Sequence, residues 1–159
     1  MSDPASLAAA FSREGVVLVA GVLSGAALAA VADAASSPPP GRAGTRCLLG
    51  ESWCRVLAAG LRADIRLAAL LPPGYVAVQC TLFEKSPARN WLVPLHQDLS
   101  IPVAERLDEA GWTGWSRKED AWFVQAPAAV LAELVALRLH LDDCGPDDGP
   151  LRVVPGSHV

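Results

Sequence analysis

Apolar and polar residues follow different periods in the two halves of the chain. In the first half, apolar residues recur at helical spacing in SLAAAFSREG, SGAALAAVADAAS and ESWCRVLAAGLRADIRLAALL. The first predicted helix ends at Gly15, and Ser24 caps the second. We expect the third to divide near Gly60 and to stop at Pro72. VVLVAGV, between the first two helices, predicts a short strand, and SSPPPGRAG predicts a loop.

The second half of the chain alternates apolar and polar residues and is rich in β-forming side chains. Four segments predict strands: GYVAVQCTLFEK, WLVPLHQDLSIPV with an interruption at Pro94, LRLHLDD and LRVVPGSH. PAAVLAELV predicts one short helix, and residues 111–120, GWTGWSRKED, predict a long polar and aromatic loop. Helices followed by short strands predict an α+β fold whose β part is a sandwich or a jelly roll.

Length and composition favour one globular domain over residues 1–159. The chain is 52% hydrophobic and 19% charged, which is typical of a folded domain and not of a disordered one. Its net charge is −4, and it has no basic cluster. Nucleic acid and anionic membrane surfaces are therefore not expected as partners.

Residues 15–32 carry no charge and reach the minimum length of a membrane span. Much of this run is Ala and Gly, which are weakly apolar, and Ser24 with Gly25 divides it. A strand, a turn and a helix are the better interpretation. Asp3 and Glu14 also conflict with the positively charged start of a signal peptide. We expect a cytoplasmic protein with no membrane association.

The four cysteines show no zinc-site spacing. No two of them form a Cys-x-x-Cys pair, and no His lies at zinc-finger distance from them. Without a secretory signal, we predict free thiols and no disulfide framework.

The segment WLVPLHQD contains the clearest chemical signal in the chain. Side chains at positions i and i+2 of a strand point to the same side, so His96 and Asp98 should lie together while Gln97 points away. One imidazole and one carboxylate can fill two positions on a metal ion, as in the facial triad of non-haem Fe(II) oxygenases. A polar pair on the exposed face of a strand is the alternative interpretation.

Three segments in this order resemble the phytanoyl-CoA dioxygenase family of Fe(II)- and 2-oxoglutarate-dependent oxygenases. FSREGVVLVAGVLSGAAL is similar to the family's N-terminal helix, strand and helix. TLFEKSPARNWLVPLHQD is similar to the segment that carries its metal-binding His-x-Asp motif, and LRLHLDDCGPDDGPLRVVPGSH to its strand, turn and Pro-Gly-Ser-His corner. The resemblance implies N-terminal helices packed on a double-stranded β-helix core of the jelly-roll or cupin type, incomplete at the C-terminus.

The same resemblance implies an enzymatic role for the His-x-Asp pair. His96 and Asp98 would be two of three Fe(II) ligands, with 2-oxoglutarate and O₂ as cosubstrates and a small organic molecule as substrate. Gln79 and Thr81, which share a strand face by alternation, are expected in the 2-oxoglutarate pocket.

Two pairs of residues in the second half of the chain have both a functional and a purely structural interpretation. Arg138 and His140 share one strand face, where they would bind cosubstrate or line the substrate pocket, or else face solvent and pair with Asp142. Trp112 and Trp115 would line the pocket from a lid over it, or else pack their loop onto the sheet. The adjacent charged run RKED, residues 117–120, predicts a solvated loop edge.

The family's remaining functional residues lie beyond its Pro-Gly-Ser-His corner. The third ligand is a His on a later strand, and an Arg after it grips the distal carboxylate of 2-oxoglutarate. His158 belongs to the corner itself and is not the expected ligand. The sequence stops at Val159, so we expect a truncated form of the domain. An inactive remnant and a cupin-like metal-binding protein that uses His140 or His158 are the alternatives, and an open sheet edge predicts self-association.

Overall fold

The computed structural model of the protein describes residues 3–35, 44–88, 90–91 and 93–158. Its helices are α1 (Pro4–Glu14), α2 (Gly25–Ala34), α3 (Ser52–Ala63), α4 (Ile65–Ala68) and α5 (Ala128–Leu131). Its strands are β1 (Gly44–Thr45), β2 (Leu82–Phe83), β3 (Ser100–Val103), β4 (Thr113–Lys118) and β5 (Ala121–Gln125). Short 3₁₀ turns cover Leu48–Gly50 and Pro146–Asp148. The loop predicted over residues 36–44 lies outside the described residues, apart from its last residue in β1.

The end of the first helix at Gly15 and the cap of the second at Ser24 are confirmed, whereas α1 begins at Pro4, two residues before the predicted start. The Asp3 carboxylate accepts a hydrogen bond from the Ser6 amide at 3.0 Å and caps α1, and Ser24 Oγ accepts from the Ala27 amide at 3.2 Å and caps α2. Gly15 ends α1 in the left-handed conformation, with φ of 71°. A Cβ at this position would also collide with the ring of His158, so both the backbone conformation and the available space favour glycine.

Two predictions about the first half of the chain are wrong. The segment VVLVAGV forms no strand, because no ladder joins it to another part of the described chain. The third helix divides at Asp64 and not near Gly60, which lies inside α3. The Asp64 carboxylate caps α4 by accepting from the amides of Arg66 and Leu67, and this local bonding competes with continuation of the helix.

Arg66 fixes the turn before α2 against α4. Its guanidinium pairs with the Asp64 carboxylate at 2.6 Å and donates to the carbonyl oxygens of Ala20 at 2.8 Å and Gly21 at 3.3 Å. Hydrogen bonding from Arg66 lowers the pKa of Asp64 to about 2, from an ordinary value of 3.8. Two parts of the chain some 45 residues apart are thereby held by one side chain.

The main sheet is antiparallel, with the strand order β3-β5-β4. Its central strand carries the best-buried pair in the described chain, Phe123 and Val124. Consecutive residues of a strand point to opposite faces, so both faces of the sheet are covered at this position. The sheet supports an α+β classification together with the five helices.

The loop predicted over residues 111–120 is wrong: most of it is β4, which pairs with β5 in a tight hairpin. A bulge between Thr113 and Ser116 hides the alternation in the sequence. Gly114 lies in that bulge with φ of 61°, and a Cβ there would press against the Gln125 side chain at 2.8 Å. No larger residue fits without displacing Gln125.

The tip of this hairpin holds a distant segment. Glu119 adopts a left-handed conformation with φ of 55°, and its carboxylate accepts hydrogen bonds from Thr45 Oγ1 at 2.9 Å and from the Arg46 amide at 3.0 Å. Burial, followed by hydrogen bonding to Glu119, raises the pKa of the Cys47 thiol. The contact joins β1 to the β4–β5 hairpin across more than 70 residues of sequence.

The cysteines are free thiols, as predicted. Cys54 on α3 is fully buried, and its thiol contacts that of Cys80. Burial, followed by the hydrogen bond with Cys54, raises the pKa of Cys80 to about 12, so the Cys80 thiol stays protonated at neutral pH.

The remaining predicted strands are only partly paired. Within GYVAVQCTLFEK, Leu82 and Phe83 form β2, and Cys80 bridges to Cys47. LRLHLDD and LRVVPGSH lie outside the two sheets that the described residues form. None of the helices in the described ranges has both the length and the apolar character to cross a lipid bilayer.

Candidate metal-binding site

His96 and Asp98 converge, as their spacing predicts. His96 Nε2 lies 3.6 Å from Asp98 Oδ1. His96 Nδ1 lies 2.8 Å from the carbonyl oxygen of Pro94, which can only accept, so Nδ1 carries the proton and donates. The lone pair of Nε2 is then directed to the same side as the carboxylate, which is the tautomer a metal ligand needs.

The pair stands where the chain enters β3. The Leu99 carbonyl accepts from the Ala126 amide at 3.3 Å, and Ser100 is paired with Gln125, so the ladder to β5 begins directly after Asp98. Pro94 has no amide hydrogen to offer a ladder, and its carbonyl orients the imidazole instead. His96 and Asp98 therefore lie in a short segment whose backbone does not take part in the β3–β5 ladder.

Lys85 holds this segment from its other end. Its ammonium group donates to the carbonyl oxygens of Trp91 at 3.1 Å and Gly149 at 2.8 Å, and it lies 4.8 Å from the centre of the Trp91 ring. The approach to the His-x-Asp pair is thus tied to the turn that follows the 3₁₀ helix at Pro146–Asp148. Nothing in the sequence distinguished Lys85 from a surface lysine, because both of its partners are backbone carbonyls.

The pair is exposed, whereas the interior of a closed barrel was expected. The Asp98 side chain is 99% exposed and that of His96 48% exposed. In the described part of the chain, the two sheets do not enclose these groups. An exposed pair of this kind contributes little to the stability of the fold.

The geometry fits two adjacent ligands of one cation. Neighbouring ligands of an octahedral ion, each about 2.1 Å from it, lie about 3 Å apart. The 3.6 Å between His96 Nε2 and Asp98 Oδ1 reaches that separation by a small side-chain rotation, and the exposure of both groups leaves it unhindered. A neutral imidazole and a carboxylate are also a donor set that suits Fe(II).

The structure brings no third ligand to this pair. Among the described residues, no cluster of three His, Cys, Asp or Glu side chains could hold a metal ion. His158 packs against α1 instead, with Nε2 donating to the carbonyl oxygen of Ser12 at 3.1 Å. His140 is exposed, and within the described chain it forms no ion pair with Asp142. The cupin-like site that would use His140 or His158 is therefore not observed.

Of the residues expected in a 2-oxoglutarate pocket, Gln79 and Thr81 contact each other, whereas Arg138 is exposed. Gln79 donates its side-chain amide to Thr81 Oγ1 at 2.8 Å, so these two share a face as predicted. Arg138 is exposed, and no hydrogen bond of the described chain joins it to His96 or Asp98. Their roles toward the cosubstrate stay predictions.

Two of the tryptophans pack together within the β4–β5 hairpin. Trp115 and Trp122 meet edge to face, with ring centres 6.3 Å apart, and Arg106 lies over Trp115 at 5.7 Å. Trp112 is half-buried just before β4. For Trp115, these contacts favour packing onto the sheet over a lid, because Trp115 lies in β4; the role of Trp112 stays a prediction.

Lys118, expected on a solvated loop edge, is instead half-buried in β4. Its ammonium group lies 4.8 Å from the centre of the Phe123 ring and 3.5 Å from Ser100 Oγ. Ser100 is two residues beyond Asp98. The prediction missed this cation because a run of charged residues before a turn is typical of solvated hairpin ends.

Comparison with known protein families gives a match over most of the sequence. The sequence model of the family described as phytanoyl-CoA dioxygenase matches residues 11–159, a range that holds His96, Asp98, the hairpin and the Pro-Gly-Ser-His corner. Comparisons with curated proteins and with solved structures gave no match. The family match spans nearly the whole sequence, and the protein therefore belongs to the phytanoyl-CoA dioxygenase family.

Proposed function

We propose that the protein is a non-haem Fe(II)- and 2-oxoglutarate-dependent oxygenase that hydroxylates a small organic substrate. The observation that carries the proposal is the convergence of His96 Nε2 and Asp98 Oδ1, with the imidazole held by the Pro94 carbonyl. Membership in a family whose members generally depend on Fe(II) and 2-oxoglutarate supports it. Bound Fe(II) would couple oxidative decarboxylation of 2-oxoglutarate, which yields succinate and CO₂, to insertion of one oxygen atom of O₂ into a C–H bond.

The protein's own groups would do three things in this chemistry. His96 offers a neutral nitrogen whose tautomer is fixed by Pro94, and Asp98 adds the negative charge that favours a divalent cation. Gln79 and Thr81, already joined by a hydrogen bond, would orient polar groups of the cosubstrate. The segments LRLHLDD and LRVVPGSH would serve as walls of a double-stranded β-helix, which is the core expected of a cupin-like family.

A metal-binding experiment tests this function directly. Mn(II), a redox-quiet stand-in for Fe(II), is titrated into the full 159-residue chain, and free Mn(II) is measured by electron paramagnetic resonance. We expect the variants His96→Ala and Asp98→Asn each to weaken binding about tenfold or more, because each removes one of two ligands. Both side chains are exposed, so the melting temperature should change little.

The chain supplies a matched control with the same spacing. His140 and Asp142 are also a His and an Asp two residues apart and exposed, but within the described chain they form no ion pair. The double variant His140→Ala, Asp142→Asn should leave Mn(II) binding unchanged. Equal Mn(II) affinity in the wild type and all variants would refute the site.

A further inference from the structure

The Lys85 ammonium group lies in a cradle formed by two other segments of the chain. It donates to the carbonyl oxygens of Trp91 at 3.1 Å and Gly149 at 2.8 Å, and it lies 4.8 Å from the centre of the Trp91 ring. Among the described residues, no carboxylate forms an ion pair with it. The charge of Lys85 therefore acts on backbone carbonyls and one aromatic ring, and it joins the segment before the His-x-Asp pair to the turn at Gly149.

Gly149 leaves the space that the ammonium group occupies. It adopts a left-handed conformation with φ of 63°, and a Cβ at this position would collide with Lys85 Nζ. Beside the cradle, a hydrogen bond of 3.4 Å from the Asn90 side-chain amide to the Asp147 carbonyl joins the same two parts of the chain. The turn thus receives two side-chain donors, and glycine at its end admits the ammonium group without displacement.

The chain from this cradle to the His-x-Asp pair is short and stiff. Pro94 follows Trp91 by three residues, and its carbonyl oxygen lies 2.8 Å from His96 Nδ1. Proline fixes its own φ and restricts the residue before it to extended conformations, so two of the three residues after Trp91 have little freedom. A displacement of Trp91 is therefore passed on to the Pro94 carbonyl, which is the group that sets the tautomer of His96.

We infer that Lys85 is a positioning residue of the metal site. By holding the Trp91 carbonyl against the turn at Gly149, it keeps the Pro94 carbonyl where that oxygen accepts from His96 Nδ1. The lone pair of His96 Nε2 then stays available to a metal ion. This inference rests on the proposed function, because it concerns the same site, and it adds a residue 11 positions before His96 that acts through the backbone.

The tautomer of His96 gives a readout that needs no metal. At about pH 8.5 the neutral imidazole predominates, and long-range nitrogen–proton correlation NMR of the metal-free chain distinguishes a proton on Nδ1 from one on Nε2. The variant His96→Ala identifies the signal. We expect Nδ1–H in the wild type. Lys85→Met keeps the aliphatic stem and removes both donated hydrogen bonds, so His96 should shift toward Nε2–H, the tautomer that imidazole prefers in water.

Mn(II) affinity gives the second readout. In Lys85→Met it should fall about tenfold, since groups that orient a metal ligand contribute on that scale. Gly149→Ala keeps the lysine and displaces its ammonium group, so it should produce the same two changes. The double variant Lys85→Met, Gly149→Ala should bind Mn(II) no more weakly than Lys85→Met alone, because both substitutions act on one contact.

Arg55 provides the matched control. Its guanidinium also donates to two backbone carbonyls, those of Leu49 at 3.1 Å and Gly50 at 2.6 Å, but it lies on α3. Arg55→Met removes the same kind of contact and should leave the His96 tautomer and the Mn(II) affinity unchanged. An equal change in Arg55→Met, a wild type with its proton on Nε2, or an unchanged tautomer in both Lys85→Met and Gly149→Ala would each overturn the inference.

The two readouts separate this inference from the proposed function. If Mn(II) binds through His96 and Asp98 while the Lys85 and Gly149 variants keep the wild-type tautomer, the inference is wrong and the proposed function stands. If the tautomer shifts in both variants but the wild type takes up no Mn(II) through His96 and Asp98, Lys85 still positions the imidazole and the proposed function is wrong.

Discussion

Arg66, Lys85 and His158 each donate a side-chain hydrogen bond to a backbone carbonyl far away in sequence. Contacts of this kind connect segments that no sheet ladder joins. Truncation of such a side chain leaves a carbonyl oxygen without its partner, which costs more than the hydrogen bond alone contributes. Single residues therefore carry an unusual share of the tertiary organisation of this chain.

Loss of the Asp64 charge should destabilise the protein in a pH-dependent way. Asparagine can still cap α4, so Asp64→Asn mainly removes the ion pair with Arg66. The folded pKa of Asp64, about 2, lies below its ordinary 3.8, so its stabilising contribution is present above 3.8 and is lost as the pH falls toward 2. We expect a melting temperature a few degrees below that of the wild type at neutral pH.

Thermal denaturation from neutral to acidic pH checks this prediction. The difference between wild type and Asp64→Asn should shrink between pH 3.8 and about 2. Asp33, an exposed carboxylate on α2, supplies the control, and Asp33→Asn should match the wild type throughout. A difference that widens on acidification would contradict the linkage.

At the level of single residues, sequence reasoning found the candidate ligands and missed their surroundings. The proximity of His96 and Asp98 was predicted from the two-residue period of a strand, and it holds although both residues precede β3. The contacts of Lys118 depend on which strands pair, and a hydrophobic pattern does not encode that. The same limit applied to His158, which lies 146 residues from its partner Ser12.

Among the elements, the β4–β5 hairpin is the one that other parts of the chain depend on. Its inner strand pairs with both neighbours, and its tip holds β1 through Glu119. The helix ends at Gly15 and Ser24 were predictable because capping involves residues a few positions apart. The hairpin was not, because its bulge at Gly114 interrupts the alternation that marks a strand.

Removal of the Glu119 carboxylate should loosen β1 from the hairpin. The variant Glu119→Ala leaves the left-handed backbone equally strained and deletes the acceptor of Thr45 and Arg46. Hydrogen bonds to a charged group contribute about 1.5–3 kcal/mol, so we expect a loss of this order in the free energy of unfolding. Denaturant titration measures it, and amide hydrogen exchange at Arg46 should accelerate.

The neighbouring turn residue gives the control for this change. Asp120→Ala keeps the backbone of the turn and the Glu119 acceptor, and it should leave both measurements near those of the wild type. Equal destabilisation by the two variants would show that the turn itself, and not the carboxylate, holds β1.

The molecule as a whole presents apolar side chains along the segments that are outside its sheets. Val76, Leu95 and Val153 are examples among the exposed large hydrophobic residues. The outer strands β3 and β4 also have one edge each without a strand partner in the described chain. Unpaired edges with nearby apolar side chains favour pairing with another strand, and a second copy supplies an identical one.

We therefore expect self-association that depends on protein concentration. Sedimentation velocity should detect dimers or larger species between micromolar and about millimolar protein. The double variant Val76→Lys, Val153→Lys should shift the population toward monomer, whereas Leu18→Lys, at a still more exposed apolar residue between α1 and α2, should not. A wild type that stays monomeric over the whole range would contradict the prediction.

The corner at residues 155–158 has a consequence for how the chain is made. The Gly156 amide donates to Glu14 and His158 to Ser12, so the carboxyl end of α1 acquires its partners only after some 140 further residues have been added. At about 5–20 residues per second on the ribosome, that delay lasts roughly 7–28 s. During this interval the nascent α1 is available to chaperones, and native closure of its carboxyl end waits for synthesis of the corner.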